Sequence, residues 1–404
     1  MTDAITGGLL LDDLKEKACA AIDSRRERLI DLSLRLHDHP EPPFQEEQSA
    51  AWLSAELERE GFAVERGLAG LPTAFRGVQR GGADRPVVAI LLEYDALPGI
   101  GHGCGHNLIA SAGLGAGLAV KEATAAAGLP GTLWVLGTPG EEGKGGKVIM
   151  VEHGLFADVD AAMMFHPGTH NLPWRHATAV TPLTVRFYGK SAHAAGSPEK
   201  GINALNALIQ TFVHIDALRQ HVDETARIHG IVSHGGDAPN VVPEFAEGQF
   251  LVRALTSDYL AELLEKVKDC ARGAALATGA RVEFEEGLTY RERRNNKVLA
   301  NAFRDNLGRL GLSMEEPSQE RRGTGSSDIG NVSMVCPTIH PYMAVAPDEV
   351  PGHSREMVRY TGTPEAQEVM LQTAKALAMT ALDCFYDPEV LPAARREFAQ
   401  AGFD

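Results

Sequence analysis

Five short polar stretches, each bounded by glycine or proline, carry most of the residues that could perform chemistry. They are LLEYDALPG at 91–99, GHGCGHN at 101–107, TPGEEG at 138–143, FHPGTH at 165–170 and PGHSREM at 351–357. Each reads as a loop directly after a strand, where a rigid frame can hold functional groups. Open α/β sheets usually build their site at such strand ends, so the stretches predict one shared site.

The donor atoms in these stretches suit a divalent metal ion. They are a thiol, three imidazoles and a carboxylate: Cys104, His106, Glu142, His166 and His353. Zinc prefers this set, and manganese or cobalt accepts all of it except sulfur. Asp95 and Glu93 could orient the ligands. Any one of the fifteen histidines has an ordinary structural interpretation, so it is the clustering at strand ends that favours a metal site.

The adjacent pair Glu141 and Glu142 is the sharpest local feature. Two neighbouring carboxylates in one tight loop repel each other unless a cation lies beside them. One could ligate a metal while the other accepts a proton from water. A solvated acidic loop is the alternative interpretation.

Three other motifs do not meet the requirements of their functions. GLGAGL at 113–118 lacks the third glycine of a dinucleotide fingerprint and lies in a helical run, so packing of a helix on a sheet is favoured. GKGGKV at 143–148 lacks the spacing of a phosphate-binding loop. A thiol nucleophile at Cys104 with His106 as its base would leave the glutamate pair without a role.

Apolar runs and helical patterns define the elements that must position these residues. Continuous apolar runs at 87–92, 132–136 and 161–165, separated by helical stretches, predict strands covered on both faces. Such strands belong to a mostly parallel sheet flanked by helices. Helices are also predicted on either side of a break at Pro40–Pro43 and at about 364–382.

The middle of the chain has a different pattern. Strands are expected at about 183–188, 228–233, 250–255 and 281–284, with helices at about 202–218 and 259–277. The order β-α-β-β-α-β is typical of a ferredoxin-like α+β sandwich. We therefore expect a catalytic α/β domain in two parts, 1–177 and 289–404, with a lid or dimerisation domain inserted at 178–288.

Composition narrows the classes of partner. The 404 residues include 38 Lys and Arg and 54 Asp and Glu, which gives a net charge of −16. This negative charge disfavours binding to nucleic acids and to anionic membranes. The longest apolar run, 108–120, is shorter than the roughly 20 residues that span a bilayer. Five scattered cysteines do not suggest a disulfide framework and favour a reducing, cytoplasmic location.

Taken together, the motifs resemble one metallopeptidase family. They are HDHPE at 37–41, EYDALPGIGHGCGHN at 93–107, GEE at 140–142, HPG at 166–168, GKSAHAA and GINAL within 189–205, PNVVPE at 239–244, GSSDIGNVS at 325–333 and PGHS at 351–354. In this order they resemble the M20 family of aminoacylases, carnosinases and carboxypeptidases with two co-catalytic metals. The similarity is greatest to its amidohydrolase branch of auxin-conjugate hydrolases, aminobenzoyl-glutamate hydrolases and related dipeptidases.

The resemblance implies specific roles. It places the five donors above on two divalent ions (Zn, Mn or Co), Glu141 at the general base and Asp95 at the acid that steers a metal ligand. It implies that His193 reaches the site of a neighbouring subunit in a homodimer and stabilises an oxyanion. Asn240 and Arg253 fall near positions that contact substrate in some relatives.

The expected activity is metal-dependent hydrolysis of an amide bond in an N-acyl amino acid or a dipeptide with a free carboxylate. Asn107, where auxin-conjugate hydrolases usually carry Asp, and Glu93, where others carry Asp or His, point to the dipeptidase and aminobenzoyl-glutamate side. The alternatives are a carbamoyl-amide hydrolase on the same fold, a cysteine-dependent hydrolase and a non-catalytic binding protein. Chelators and thiol alkylation would separate the metal and cysteine mechanisms.

Overall fold

The computed structural model describes the backbone of residues 2–317 and 325–400 and the side chains of residues 10–317 and 325–400. The helices are α1 Thr2–Ser24, α2 Arg26–Asp38, α3 Glu47–Arg59, α4 His106–Ala123, α5 Gly146–Glu152, α6 Ala204–Leu218, α7 Ser257–Thr278, α8 Lys297–Arg309, α9 Ile329–Ser333, α10 Arg355–Thr361, α11 Pro364–Tyr386 and α12 Val390–Gln400. The strands are β1 Ala63–Arg66, β2 Phe75–Arg80, β3 Val87–Leu92, β4 Thr132–Gly137, β5 Ala161–Met163, β6 His166–Gly168, β7 Ala179–Tyr188, β8 Arg227–His234, β9 Phe245–Ala254, β10 Arg281–Glu286, β11 Thr338–Ile339 and β12 Tyr342–Ala344.

The described chain divides into two compact units. The first comprises the described residues of 1–176, 294–319 and 331–404, and the second those of 177–293 and 320–330. The assignment of a catalytic role to one and a lid or dimerisation role to the other stays a prediction.

The first unit is built on a mixed, mostly parallel sheet. Its strand order is β1-β2-β4-β3-β5-β11. Strands β3, β4, β5 and β11 run parallel, and β2 pairs antiparallel with β1 and with β4. All six residues of β3 are buried, as expected for a strand covered on both faces. The predicted mostly parallel α/β sheet is therefore confirmed.

Helix α4 packs closely because its glycines leave room for its neighbours. A Cβ on Gly113 would lie 2.4 Å from Leu92, and one on Gly117 would lie 2.3 Å from Val135. On another face, a Cβ on Gly115 would lie 2.9 Å from Leu29 of α2. The GLGAGL motif thus serves packing of helix on sheet, as predicted, and it also serves a helix-on-helix contact that was not predicted.

The second unit contains an antiparallel sheet of order β10-β7-β9-β8. Its elements follow the order β7-α6-β8-β9-α7-β10, which confirms the predicted ferredoxin-like sandwich. Helices α6 and α7 pack on the sheet around Leu208, Phe250 and Leu263. Strand β9 begins at Phe245, five residues before the predicted start. Its buried residues alternate with residues that are mostly half-buried, so 245–249 has no continuous apolar run that would have predicted the longer strand.

Within the described residues, no helix is both long enough and apolar enough to cross a membrane.

Candidate metal centre and active site

The carboxyl ends of parallel strands bring three of the polar stretches together in the first unit. Strand β3 ends at Leu92 and is followed by Glu93 and Asp95, whereas β4 ends at Gly137 and leads to the glutamate pair. Strand β5 ends at Met163, three residues before His166. Because these strands run in the same direction, their ends meet at one edge of the sheet.

Three groups of donor atoms lie close enough to hold metal ions. In each group the candidate ligand atoms lie within 4.8 Å of one another. The groups are Cys104, His106 and His166; Cys104, Glu142 and His353; and His106, Glu141 and Glu142. The structure therefore brings the five predicted donors and the predicted base to one cluster. Their roles as ligands and base stay predictions.

Individual distances within the cluster are short. Cys104 Sγ lies 3.2 Å from His166 Nε2 and 3.5 Å from His353 Nε2. Glu142 Oε1 lies 3.9 Å from His353 Nε2 and 4.0 Å from His106 Nε2. Cys104 and Glu142 each belong to two of the groups, so the donors form one continuous cluster.

Contacts at Nδ1 orient two of the three imidazoles, those of His106 and His166, toward the cluster. His106 Nδ1 lies 3.0 Å from Asp95 Oδ1, and His166 Nδ1 lies 2.6 Å from the carbonyl oxygen of Pro167. If each Nδ1 donates, Nε2 is left with its lone pair toward the other donors. The contact of Asp95 with His106 is what a ligand-steering role would require, and that role stays a prediction.

Asp95 and His106 each stabilise the charged form of the other. Burial disfavours both charges, but the carboxylate raises the pKa of His106 well above its usual value. In turn, burial opposes ionisation of Asp95, yet the charge and hydrogen bond of His106 lower the pKa of Asp95. Asp95 Oδ2 also accepts the Glu142 main-chain N–H at 2.9 Å. The buried Asp95 carboxylate therefore connects His106, the first residue of α4, with the loop that carries Glu141 and Glu142.

The donor set fits divalent cations. Glu142 Oε1 and His106 Nε2 are buried and have no hydrogen-bond partner of normal geometry among the described residues. Leaving such atoms unpaired inside a protein is costly. Both point toward donors of the kinds that zinc uses, so a bound cation would satisfy them.

A free thiol nucleophile at Cys104 is disfavoured by its surroundings. Burial and the neighbouring Glu142 carboxylate raise the pKa of the Cys104 thiol far above its usual range. Only the thiolate is an effective nucleophile. The thiolate is also the form that binds a metal ion, so a cation beside Cys104 would be needed to stabilise it.

His353 has an unusual backbone. Its φ of 59° lies in the left-handed region, which non-glycine residues rarely adopt. Its main-chain N–H donates to the carbonyl oxygen of Gly103 at 3.1 Å, and Ser354 next to it caps α10. The loop thus directs the imidazole toward Cys104 from outside the sheet.

The remaining predicted residues lie in the second unit. His193 is exposed, and its Nδ1 accepts the N–H groups of Ala195 and Gly196 at 3.2 and 3.0 Å. The exposed Asn240 accepts the Ala194 N–H at 3.0 Å through its main-chain oxygen. Arg253 is half-buried and donates from Nη1 to Ser326 Oγ at 2.8 Å. Their proposed contacts with substrate stay predictions.

Sequence reasoning did not single out the aromatic neighbours of His166. The rings of His340 and Tyr342 lie 5.3 and 5.2 Å from the His166 ring, centroid to centroid. His340 directly follows the short strand β11, and Tyr342 begins β12, which pairs directly with β6. The position of His340 after a strand is the one sequence signal, and many structural residues share it.

Asn107 also has a structural explanation. Its Nδ2 is placed 3.1 Å from both Ser33 Oγ and the carbonyl oxygen of Thr361. An aspartate could not donate to the carbonyl. The amide therefore ties the start of α4 to α2 and α10, which explains how this chain uses Asn at that position.

Comparisons with known proteins agree with this architecture. Residues 181–278 match the family model of the peptidase dimerisation domain. The chain is 40% identical to the Xaa-Arg dipeptidase of Mus musculus, covering 96% of this chain and 93% of that protein. It is 32% identical to one of the subunits of the p-aminobenzoyl-glutamate hydrolase of Escherichia coli K12, covering 94% of each.

A solved structure shares the fold. It is a Bacillus subtilis protein described as a dinuclear metal-binding peptidase from the M20 family, with a TM-score of 0.65 and 22% identity. The match covers 89% of this chain and 99% of that one.

The protein is of the class of metal-dependent hydrolases of peptide or amide bonds, as its fold, its donor cluster and its relatives together indicate. More closely, the chain belongs to the M20 family of peptidases and amidohydrolases.

Proposed function

We propose that this protein hydrolyses the amide bond of a dipeptide or an N-acyl amino acid with a free carboxylate. The observation that carries the proposal is the convergence of Cys104, His106, Glu142, His166 and His353 around the Glu141 carboxylate. Two full-length relatives act on such substrates, one named for Xaa-Arg dipeptides and the other for aminobenzoyl-glutamate.

The five donors would hold two divalent ions per subunit, with zinc, manganese or cobalt as candidates. When bound, such ions supply positive charge that polarises a carbonyl group and makes water more acidic. The number of ions is proposed from the Bacillus subtilis M20 peptidase with the same fold, which is described as dinuclear.

Glu141 is proposed as the general base. Its Oε2 lies 3.9 Å from His106 Nε2, so this carboxylate oxygen faces the donor cluster. It would accept a proton from the water that attacks the amide carbon. As the carbon–nitrogen bond breaks, the same oxygen would return the proton to the departing amine.

His193 is proposed to stabilise the developing oxyanion. Because its Nδ1 accepts two main-chain N–H groups, the neutral ring carries its proton on Nε2. That N–H is therefore available to donate to an oxyanion, an interaction typically worth about 3 to 4 kcal/mol. We propose that it acts in the site of a partner subunit.

Arg253 and Asn240 are proposed to bind the substrate. Among the described residues Arg253 forms no ion pair, and burial lowers the pKa of its guanidinium. A partly buried guanidinium without a carboxylate gains a strong, charge-assisted hydrogen bond when one arrives. The free carboxylate of the substrate is the proposed partner.

The second unit has features of a homodimer interface. Strand β8 lies at the edge of its sheet and exposes Ile231 and Val232, while α6 exposes Ile209 and Val213. Exposed apolar side chains beside an open strand edge favour pairing with another chain. We propose a homodimer built on this surface.

We also propose a reducing, cytoplasmic location, since all five cysteines of the chain are free.

A metal-reconstituted activity screen tests the proposed function. Chelator-treated protein would be reloaded with Zn, Mn or Co and assayed on Xaa-Arg dipeptides, aminobenzoyl-glutamate and N-acyl amino acids. We expect turnover to require metal, and we expect His353→Ala to lower the metal content found by elemental analysis. Full activity after chelation, abolished instead by thiol alkylation, would contradict the proposal. If the protein released ammonia from carbamoyl amides and hydrolysed none of the other substrates, that result would support a carbamoyl-amide hydrolase.

A further inference from the structure

Glu46 is a buried carboxylate that the proposed reaction does not use. It lies between the Pro40–Pro43 break and α3, and it is fully buried. Its Oε1 accepts the main-chain N–H groups of Phe44 and Gly140, both at 2.9 Å. Its Oε2 accepts the Thr73 hydroxyl at 3.0 Å. Glu46 thus connects the segment before α3 with the residue directly before Glu141.

The contact with Gly140 depends on two unusual backbone conformations. Gly140 has a φ of +71°, and a Cβ there would lie 2.3 Å from the Phe44 ring. Phe44 itself has a φ of 63°. A non-glycine residue persists in this region only when its surroundings hold it, and such residues cluster at functional sites. Glu46 and the Phe44 ring together hold Gly140.

A second carboxylate anchors the other side of Glu141. The Glu142 N–H donates to Asp95 Oδ2 at 2.9 Å. The next residue after Asp95, Ala96, donates its N–H to the carbonyl oxygen of Glu41 at 2.8 Å. The segment from Glu41 to Glu46 therefore contacts both loops, and Glu141 lies between two peptide groups fixed by buried carboxylates.

We infer that Glu46 is a positioning residue for Glu141, acting by holding the Gly140 peptide. This inference rests on the proposed function, in which Glu141 carries the proton. The feature of Glu46 that this role requires is a hydrogen-bond acceptor at the position of Oε1. Neither the charge of Glu46 nor its hydrogen bond with Thr73 is required.

Four variants test this role by separating those features. Glu46→Gln keeps an acceptor for Gly140, Glu46→Leu removes it, and Glu46→Asp keeps the charge but is one methylene shorter. Thr73→Val is the matched control, because it removes only the hydrogen bond to Oε2. Each would be measured for kcat, KM, bound metal, thermal stability and hydrogen exchange of the peptide covering 138–146.

We expect Glu46→Leu and Glu46→Asp to lower kcat by about 10- to 100-fold, because misplacing a catalytic group by about 1 Å can cost up to about 100-fold. KM and bound metal should stay within about twofold, and exchange around Gly140 should become faster. Glu46→Gln and Thr73→Val should keep kcat within about twofold. If Glu46→Leu does not fold, the comparison of Glu46→Asp with Glu46→Gln decides.

Three outcomes would overturn the inference. In the first, Glu46→Leu or Glu46→Asp keeps the wild-type kcat. In the second, Glu46→Gln loses as much as Glu46→Leu, which would assign the effect to charge. In the third, kcat falls only in proportion to bound metal. Failure of the proposed function is distinct, because Glu141→Ala would then match the wild-type rate on every substrate.

Discussion

Two adjacent side chains of the same type have different surroundings in the glutamate loop. Glu142 has its main-chain N–H on Asp95 and its Oε1 within 4.0 Å of His106 and His353. Burial raises the pKa of Glu142, and the two nearby imidazoles oppose that rise. Glu141 likewise turns Oε2 toward His106 Nε2, at 3.9 Å. The contact with His353 is made by Glu142, and the division into a ligand, Glu142, and a base, Glu141, stays a proposal.

Glu141→Ala is expected to retain bound metal and lose turnover. Removing a general base typically costs about 10²- to 10⁴-fold in rate, while the other donors of the cluster remain in place. Elemental analysis and kcat on the best substrate from the screen would be compared with those of the wild type. A near-wild-type rate would show that the base is another group.

Glu46 should make the stability of the protein depend on pH. Burial, followed by the charge of Asp95, raises the pKa of Glu46 from 4.5 to about 7. The folded state therefore keeps a proton that the unfolded state loses between these two values, so this group's contribution to stability falls as pH rises from about 4.5 to about 7. The full effect is about 3 kcal/mol.

Glu46→Gln should remove this dependence because its amide resembles the protonated acid. The free energy of unfolding of the variant, relative to the wild type, should increase between about pH 5 and about pH 8. Chemical denaturation at several pH values measures the difference. A constant difference across this range would contradict the shifted pKa.

The ends of three strands and the start of one helix determine where the donor residues lie. Parallel strands β3, β4 and β5 end at one sheet edge, and α4 begins at His106 beside it. Gly105 precedes α4 with a φ of +77°, and a Cβ there would lie 2.7 Å from Pro167. The close seating of α4 on the sheet therefore sets where His106 lies relative to the strand ends.

Gly117→Ala tests the packing of α4 on the sheet. The added Cβ would overlap Val135, and overpacking of this kind typically costs about 1 to 3 kcal/mol. Gly308→Ala in α8 is the matched control, because among the described residues no atom outside the neighbouring residues and the backbone of α8 lies within 4 Å of its Cβ position. There the higher helix propensity of alanine should stabilise the protein by about 0.5 to 1 kcal/mol. Equal effects of the two substitutions on urea unfolding would refute the packing argument.

At the scale of the whole molecule, the proposed dimer makes a distinct prediction about His193. If His193 completes the partner's site, a mixture of His193→Ala and Glu141→Ala chains contains hybrid dimers with one intact site. Random pairing of equal amounts should restore about a quarter of the wild-type activity, since half of the dimers are hybrids with one site in two.

The matched control for this experiment mixes His353→Ala with Glu141→Ala chains. Both residues belong to the cluster of a single subunit, so no hybrid has an intact site. Activity of the refolded or coexpressed mixtures is the measurement. Equal failure of both mixtures to regain activity would argue against a site shared between subunits.

The sequence by itself determined the fold class and the residue types of the site. The continuous apolar run 87–92 predicted the first sheet, because a strand that is buried on both faces is apolar throughout. The β-α-β-β-α-β order predicted the second sheet, because a strand that is buried on one face alternates apolar and polar residues. Donor residues after strands predicted a metal site, because the ends of parallel strands meet.

Only the tertiary structure decided which atoms face each other. Glu46 and Gly140 are distant in sequence and have no periodicity in common, so their hydrogen bond depends on how the loops pack. The neighbours of His166, including Tyr342, likewise come from a remote strand. Local patterns report the burial of each segment, whereas contacts between segments depend on the three-dimensional path of the whole chain.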